Sequence, residues 1–167
     1  MVKPESTSDN DSVILVDGSS YVYRAYHALP PLSTSTGQPT GAVRGVTTMV
    51  MRILEDHPDS PVGMIFDAKG STFRHDMYDQ YKANRPPMPD DLRPQIQPIY
   101  DICEALGLKI FVVDNVEADD VIGTLATQAE AQGIKTVVST GDKDLAQLVT
   151  KNTVSYTHLT LPTSLIV

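Results

Sequence analysis

Four short runs rich in β-branched or bulky apolar residues stand out along the chain at 13–16, 62–66, 109–113 and 136–139. Runs of this length with β-branched or bulky side chains predict buried strands. The segments between them repeat with a helical period instead. Residues 41–54 set Ala42, Val46, Met49, Val50 and Ile53 near one face, and residues 92–106 do the same with Leu92, Ile96, Ile99, Cys103 and Leu106. Residues 118–132 are rich in good helix formers. Strands alternating with helices predict an α/β fold with a mostly parallel sheet flanked by helices. Gly107 and Gly133 follow two of these helices, where a left-handed residue would end them. Pro98 falls inside the 92–106 pattern, and in a regular helix interior it would cost about 3 kcal/mol. That helix is therefore either kinked or starts later.

Composition narrows the class. The chain has 167 residues, 41% hydrophobic and 20% charged, which suits one soluble globular domain. No apolar stretch of about 18 residues is present, so no membrane association is expected. Residues 1–12 are polar, with Glu5, Asp9 and Asp11 and no apolar run, and are expected to be a disordered tail without a signal peptide. The expected compartment is the cytoplasm. The lone Cys103 lies in an apolar pattern and is expected to serve as a small buried hydrophobe.

The net charge of −8 comes from 13 basic and 21 acidic side chains, a balance that argues against a uniformly positive nucleic-acid surface. The placement of the acids alters that conclusion. Asp17, Asp67, Glu117, Asp119, Asp120, Asp142 and Asp144 fall at or just beyond predicted strand ends, and without them 13 cations face 14 acids. Ligands of open α/β sheets bind beyond the carboxyl ends of the strands. Clustered carboxylates repel one another unless cations neutralise them, so this edge predicts a metal site. With no His or Cys in the set, hard ions such as Mg²⁺ or Mn²⁺ are expected rather than zinc. Mg²⁺ keeps much of its water and takes one or two carboxylates directly, so seven acids suggest two ions. Paired ions suit phosphodiester hydrolysis.

Two acidic motifs carry most of this signal. In Glu117-Ala118-Asp119-Asp120, three acids near a helix start exceed what capping requires. On a helix Glu117 and Asp120 share a face while Asp119 points elsewhere, so joint ligation by Glu117 and Asp119 requires Glu117 to be extended. In Asp142-Lys143-Asp144, extended chain would turn both carboxylates toward one cation, whereas the plainer alternative is a helix cap. A third element, residues 71–93, interleaves Arg74, Lys82, Arg85 and Arg93 with Phe73, Tyr78 and Tyr81. If helical, it aligns Arg74, Tyr78 and Lys82 in one stripe able to meet phosphates and stack on bases. Arg85 precedes two prolines and must leave that helix.

The runs ILVDGSSYVYRAYHALPPL, FDAKGSTFRHDMYDQYKANRPPMPDDLR, VEADDVIGTLA and STGDKDLAQLV together resemble the 5′→3′ exonuclease, or flap endonuclease, domain of bacterial DNA polymerase I. The resemblance covers residues 13–154. It implies a PIN-like core with a helical arch formed around residues 71–93. It further implies that the seven acids hold two divalent ions, that Lys82 and Arg85 approach the scissile phosphate, and that Arg24 and Tyr81 occupy active-site positions. Arg74 and Tyr78 join the nucleic-acid contacts from the stripe. The implied substrate is DNA with a 5′ end or 5′ flap, cut in replication and repair. The implied parent is a monomer fused to polymerase domains. After residue 154 the resemblance ends, and residues 155–167 look like a frameshift, read-through or cloning remnant on a truncated gene. The family's later aspartates and helix–turn–helix module are not in this sequence, which leaves an alternative in which the chain only binds metal or DNA weakly. A haloacid-dehalogenase-type phosphatase is the other alternative, although Asp17-Gly18-Ser19 lacks the second acid of that class.

Overall fold

Residues 62–66 are buried without interruption, which requires paired strands on both sides and helices over both faces. The computed structural model describes residues 12–78, 80–82, 84 and 86–156, and provides that setting. Five parallel strands, β1 (Ser12–Asp17), β2 (Val62–Phe66), β3 (Lys109–Val112), β4 (Lys135–Ser139) and β5 (Thr153–Tyr156), are ordered β3-β2-β1-β4-β5. β1 lies at the centre, and the chain builds outward from it through β2 and β3 before returning to β4. The carboxyl ends of β1 and β4 therefore form the topological switch point, where a crevice opens. The register aligns Asp17 with Ile65 and Val16 with Ser139 along this edge.

Alternation along the strands divides the core into two layers. Ile14, Val16, Met64 and Phe66 face α1 (Gly18–Ala28), α2 (Gly41–Asp56) and α4 (Ile96–Ala105). Leu15, Ile65 and Val138 face α5 (Ala118–Ala131) and Leu145 of the 3₁₀ turn Lys143–Leu148. The α1–α2 crossing needs Gly45, because a Cβ there would lie 2.6 Å from the Ala25 Cβ. Among the described residues no helix is long and apolar enough to cross a membrane.

The four predicted strands and three predicted helices are present within a few residues of their expected limits, and the Pro98 question is resolved. Pro94 sits in a 3₁₀ turn, Arg93–Gln95, and α4 begins only at Ile96. Pro98 is then the third residue of α4, where an amide has no intrahelical acceptor to lose. Three elements differ from expectation. β5 adds a fifth strand that runs into the expected 155–167 tail. α1 opens with Gly18, Ser19 and Ser20, poor helix formers that give no helical signal in the sequence. The expected Arg74–Tyr78–Lys82 helical stripe does not form: α3 (Phe73–Met77) lasts five residues, Tyr78 is extended, and Lys82 has φ 54°. Thr72, itself buried and with His75 Nδ1 accepting its amide at 3.0 Å, starts α3, but no α3 residue is buried. Ser12, Ser155 and Tyr156 pair in the sheet; residues 1–11 and 157–167, which hold most of the two expected tails, lie outside the described residues.

α2 lacks a local cap, as Thr40 makes no side-chain bond to its first turn. Gln95, 2% exposed and far away in sequence, supplies it: its Oε1 accepts the amides of Ala42 at 2.8 Å and Val43 at 3.2 Å. Its Nε2 donates to the Asp91 carbonyl at 2.9 Å, so the same side chain also ties down the exit of the 71–92 segment. Replacing Gln95 with Leu leaves the buried Ala42 amide and the part-buried Val43 amide without this acceptor, at a cost of about 1–3 kcal/mol. Urea unfolding of Gln95→Leu is expected to shift the midpoint downward with an unchanged m-value.

Candidate metal centre

Asp17 is the last residue of β1 and is 4% exposed, so its carboxylate has to be satisfied by protein groups. The Ser20 amide donates to its Oδ1 at 2.9 Å, which makes Asp17 the cap of α1, and the Thr140 hydroxyl donates to its Oδ2 at 2.8 Å. Thr140 Oγ1 in turn accepts the Asp142 amide at 2.9 Å, and Ser20 Oγ accepts the Gly141 amide at 3.2 Å. A Cβ at Gly141 would lie 2.8 Å from Ser20 Oγ, so only glycine lets the β4 loop approach α1 this closely.

Asp67 follows β2 directly. Its amide donates to Ser19 Oγ at 2.9 Å, and its Oδ1 accepts the Ala118 amide at 2.8 Å, fixing the first residue of α5 against β2. Glu117 caps α5 in extended conformation, with φ −88° and ψ 158°. This is the geometry that frees Glu117 to act together with Asp119 in the first turn. Asp17, Asp67, Glu117, Asp119 and Asp142 consequently line one open cavity of about 340 Å³, with Lys82, Ser19, Ser20 and Tyr23 on the same wall.

Two predicted acids do not reach this cavity. Asp144 is exposed in the 3₁₀ turn, and its amide donates to Asp142 Oδ1 at 2.9 Å. Asp142, at φ −87° and ψ 122°, is the last extended residue, so the two carboxylates of the Asp-x-Asp motif diverge and the capping alternative holds for this pair. Asp120 faces away, with its carboxylate held by the Arg74 guanidinium and its Oδ2 accepting the Glu117 amide at 3.1 Å.

The predicted basic and aromatic residues also separate. Lys82 Nζ lies 2.5 Å from Glu117 Oε1, and the Tyr81 hydroxyl donates to Glu117 Oε2 at 3.1 Å. Arg74 Nη1 is 3.6 Å from Glu117 Oε2. Tyr78 is exposed, and its hydroxyl donates to Gln80 at 3.2 Å rather than facing the acids. Arg24 lies on α1 beside the Gly141 loop, off the cavity wall. Arg85 is outside the described residues. Ser19, Ser20, Thr140 and Tyr23 were not picked out from the sequence, although two serines directly after a strand-end aspartate are a recognisable cap signal.

Charge is distributed unevenly. Burial, and then the carboxylates of Asp17, Asp142, Asp67 and Glu117, push the Asp119 carboxyl up to about 6. Burial also raises Asp17, with the bonds from Ser20 and Thr140 opposing the shift. The Arg74 hydrogen bonds hold Asp120 below the usual carboxylate range. The cavity is therefore an anionic site with an unmet need for positive charge. Its donors are all oxygen, which fits a hard divalent cation. Among the described residues no three His, Cys, Asp or Glu side chains already converge on one ligation point. Wide carboxylate spacing around a cavity with room for water fits ions that retain part of their hydration shell.

The parallel-sheet fold is shared with solved structures. The structure titled "Divalent metal ions (zinc) bound to T5 5'-exonuclease" matches with TM-score 0.66 at 18% identity, over 88% of this chain and 55% of that one. This likeness defines the fold class. The family follows from sequence: residues 12–165 match the model of the 5'-3' exonuclease, N-terminal resolvase-like domain, and the chain belongs to that family. DNA polymerase I of Pseudomonas aeruginosa is 60% identical over 137 residues, covering 82% of this chain and 15% of that protein. A 5'-3' exonuclease of Buchnera aphidicola subsp. Baizongia pistaciae is 44% identical over 140 residues, covering 84% of this chain and 46% of that protein. The chain thus spans about half of the stand-alone relative and a small part of the polymerase.

The raised Asp119 carboxyl has a stability consequence in metal-free protein. Between about pH 4 and the folded value near 6, the native state binds more protons than the unfolded chain, so stability falls as pH rises. Asp119→Asn is expected to remove this loss: in metal-free melts its stability relative to the parent increases from pH 4 to 6 and then levels off. A difference that stays flat across that window would show that the carboxylates do not strain one another.

Proposed function

We propose that this chain is the catalytic-edge portion of a divalent-metal-dependent 5′→3′ exonuclease and 5′-flap endonuclease acting on DNA, within a longer protein joined to polymerase domains. The observation that carries this reading is the convergence of Asp17, Asp67, Glu117, Asp119 and Asp142, from four successive strand ends, on one cavity shared with Lys82. Membership of the exonuclease family and the polymerase relatives support the reaction and the fused parent. Such work in replication and repair would place the protein at the bacterial nucleoid.

The five cavity acids would hold the metal, with Mg²⁺ the natural candidate and Mn²⁺ a substitute; their number accommodates two ions. When bound, such ions lower the pKa of a water and offset charge on the phosphate. The chain's own residues supply the remainder. Thr140 and the Ser20 amide keep the Asp17 carboxylate fixed, while Ser19 and the Ala118 amide keep Asp67 fixed. Lys82, on the cavity wall, is available to donate to a phosphate oxygen once it releases Glu117. Tyr23, 40% exposed on the same wall, offers a ring face to a base near the phosphate.

Cleavage of an end-labelled 5′-flap duplex, with Mg²⁺ or Mn²⁺ and with chelator, tests the proposal against an Asp119→Asn control. Metal-dependent product that falls by about 10² or more in the control is expected. A folded chain that releases phosphate from a small ester but leaves the flap intact would contradict it. Lys82→Ala is expected to lower kcat by about 10²–10³ while KM changes little, since its partner is charge that develops in the transition state. Equal losses in DNA binding and turnover would remove Lys82 from that role.

A further inference from the structure

Asp120 differs from every acid that lines the cavity. The Arg74 guanidinium engages it at both oxygens, with Nη2 2.6 Å from Oδ1 and Nη1 on Oδ2, while Oδ2 also accepts the Glu117 amide at 3.1 Å. A carboxylate offers about four acceptor sites, three are taken here, and Asp120 is absent from the cavity lining. Bidentate pairing fixes direction as well as charge, and a guanidinium keeps its proton at any working pH.

The partner sits where restraint is scarce. Arg74 is the second residue of α3, which buries none of its side chains. Besides this pair, α3 is tied to the body among the described residues by the Phe73 amide, which donates to the Asn115 carbonyl at 3.0 Å, and by the 3.6 Å approach of Arg74 to Glu117. Four and five residues beyond α3, Tyr81 and Lys82 reach Glu117, which lines the cavity. The position of Lys82 over the acids thus depends on where α3 begins. At its other end, the 71–92 segment is pinned by Gln95 and by the Tyr26 hydroxyl, which donates to Asp91 at 2.7 Å.

We infer that Asp120 is a positioning residue rather than a metal ligand: through Arg74 it anchors the N-terminal foot of the 71–92 segment and so sets where Lys82 stands over the cavity. The consequence for chemistry rests on the nuclease reading above, whereas the anchor itself does not.

Two measurements on the whole chain separate the roles. Hydrogen exchange by mass spectrometry reads the anchor, and Mn²⁺ titration followed by electron paramagnetic resonance reads the cavity. Asp120→Asn and Arg74→Gln are each expected to speed exchange of amides 73–82 by about tenfold, the loss of one charge-assisted pair, while β1 and β4 amides are unchanged. Mn²⁺ affinity should stay within about twofold of the parent in both, and fall about tenfold or more in Asp119→Asn. The exchanged pair Arg74→Asp with Asp120→Arg should restore protection of 73–82, which a general loss of packing would not allow. Loss of Mn²⁺ affinity in Asp120→Asn equal to that in Asp119→Asn, with exchange unaltered, would overturn the inference and make Asp120 a ligand. If the parent itself binds no Mn²⁺, the nuclease reading fails, yet lost and swap-restored protection still supports the anchor. Unaltered exchange in both single variants overturns it whatever the metal does.

Discussion

The Asp17 carboxylate is at once the cap of α1, the acceptor that holds the β4 loop through Thr140, and the most buried acid of the site. Each of these roles constrains the others. Capping requires the carboxylate to sit at the end of β1, where the parallel sheet changes direction, and that position places it among other strand-end acids. The two hydrogen bonds favour the ionised form, while burial and the neighbouring Asp67 and Asp142 oppose it. The site's electrostatic need is therefore a product of its architecture: acids that organise the first turns of α1 and α5 are the same acids that face one another across the cavity.

The fold deals with this crowding in two ways. Toward the outside, cations of the 71–92 segment neutralise the acids: Arg74 takes Asp120, and Lys82 takes Glu117. Around the cavity, Asp17, Asp67 and Asp142 accept hydrogen bonds from amides or a hydroxyl, and neither they nor Asp119 have an ion pair among the described residues. The contrast appears in the carboxyls themselves, with Asp120 held low and Asp119 raised to about 6 although they are adjacent in sequence. One helical step of about 100° separates the acid paired with Arg74 from the acid that lines the cavity.

Much of this was legible in the sequence because it depends on periodicity. The buried strands were runs of β-branched residues, and acids placed just after such runs had to gather at one sheet edge whatever the helices did. The need for Glu117 to be extended also followed from helical geometry alone. What sequence could not settle was direction at single residues. The spacing of Asp142 and Asp144 suits ligation only while the chain stays extended, and the amide of Asp144 instead finds Asp142 and starts a 3₁₀ turn. The spacing of Arg74, Tyr78 and Lys82 suits a stripe only on a continuous helix. α3 ends at Met77 because no α3 side chain is buried to sustain it, and a helix of five residues has little cooperativity of its own. α1 was hidden for the opposite reason: its residues are weak helix formers, and capping by Asp17 together with burial of Tyr21, Val22 and Ala25 overrides that weakness.

The spacing of the inner carboxylates bears on what the cavity selects. A structural zinc site presents a closed set of soft or imidazole ligands that meet at one point. Here the donors are oxygen only, and they surround about 340 Å³ without three of them meeting. Such a site cannot compel a metal to shed its water, so it favours an ion that binds through a partial hydration shell and a few charged contacts. On the proposed nuclease reading, the same openness would leave room for a phosphate beside the ion. A tighter cage would hold the ion more strongly and leave no such room, so the electrostatic strain among the carboxylates would be the physical counterpart of a site open to both.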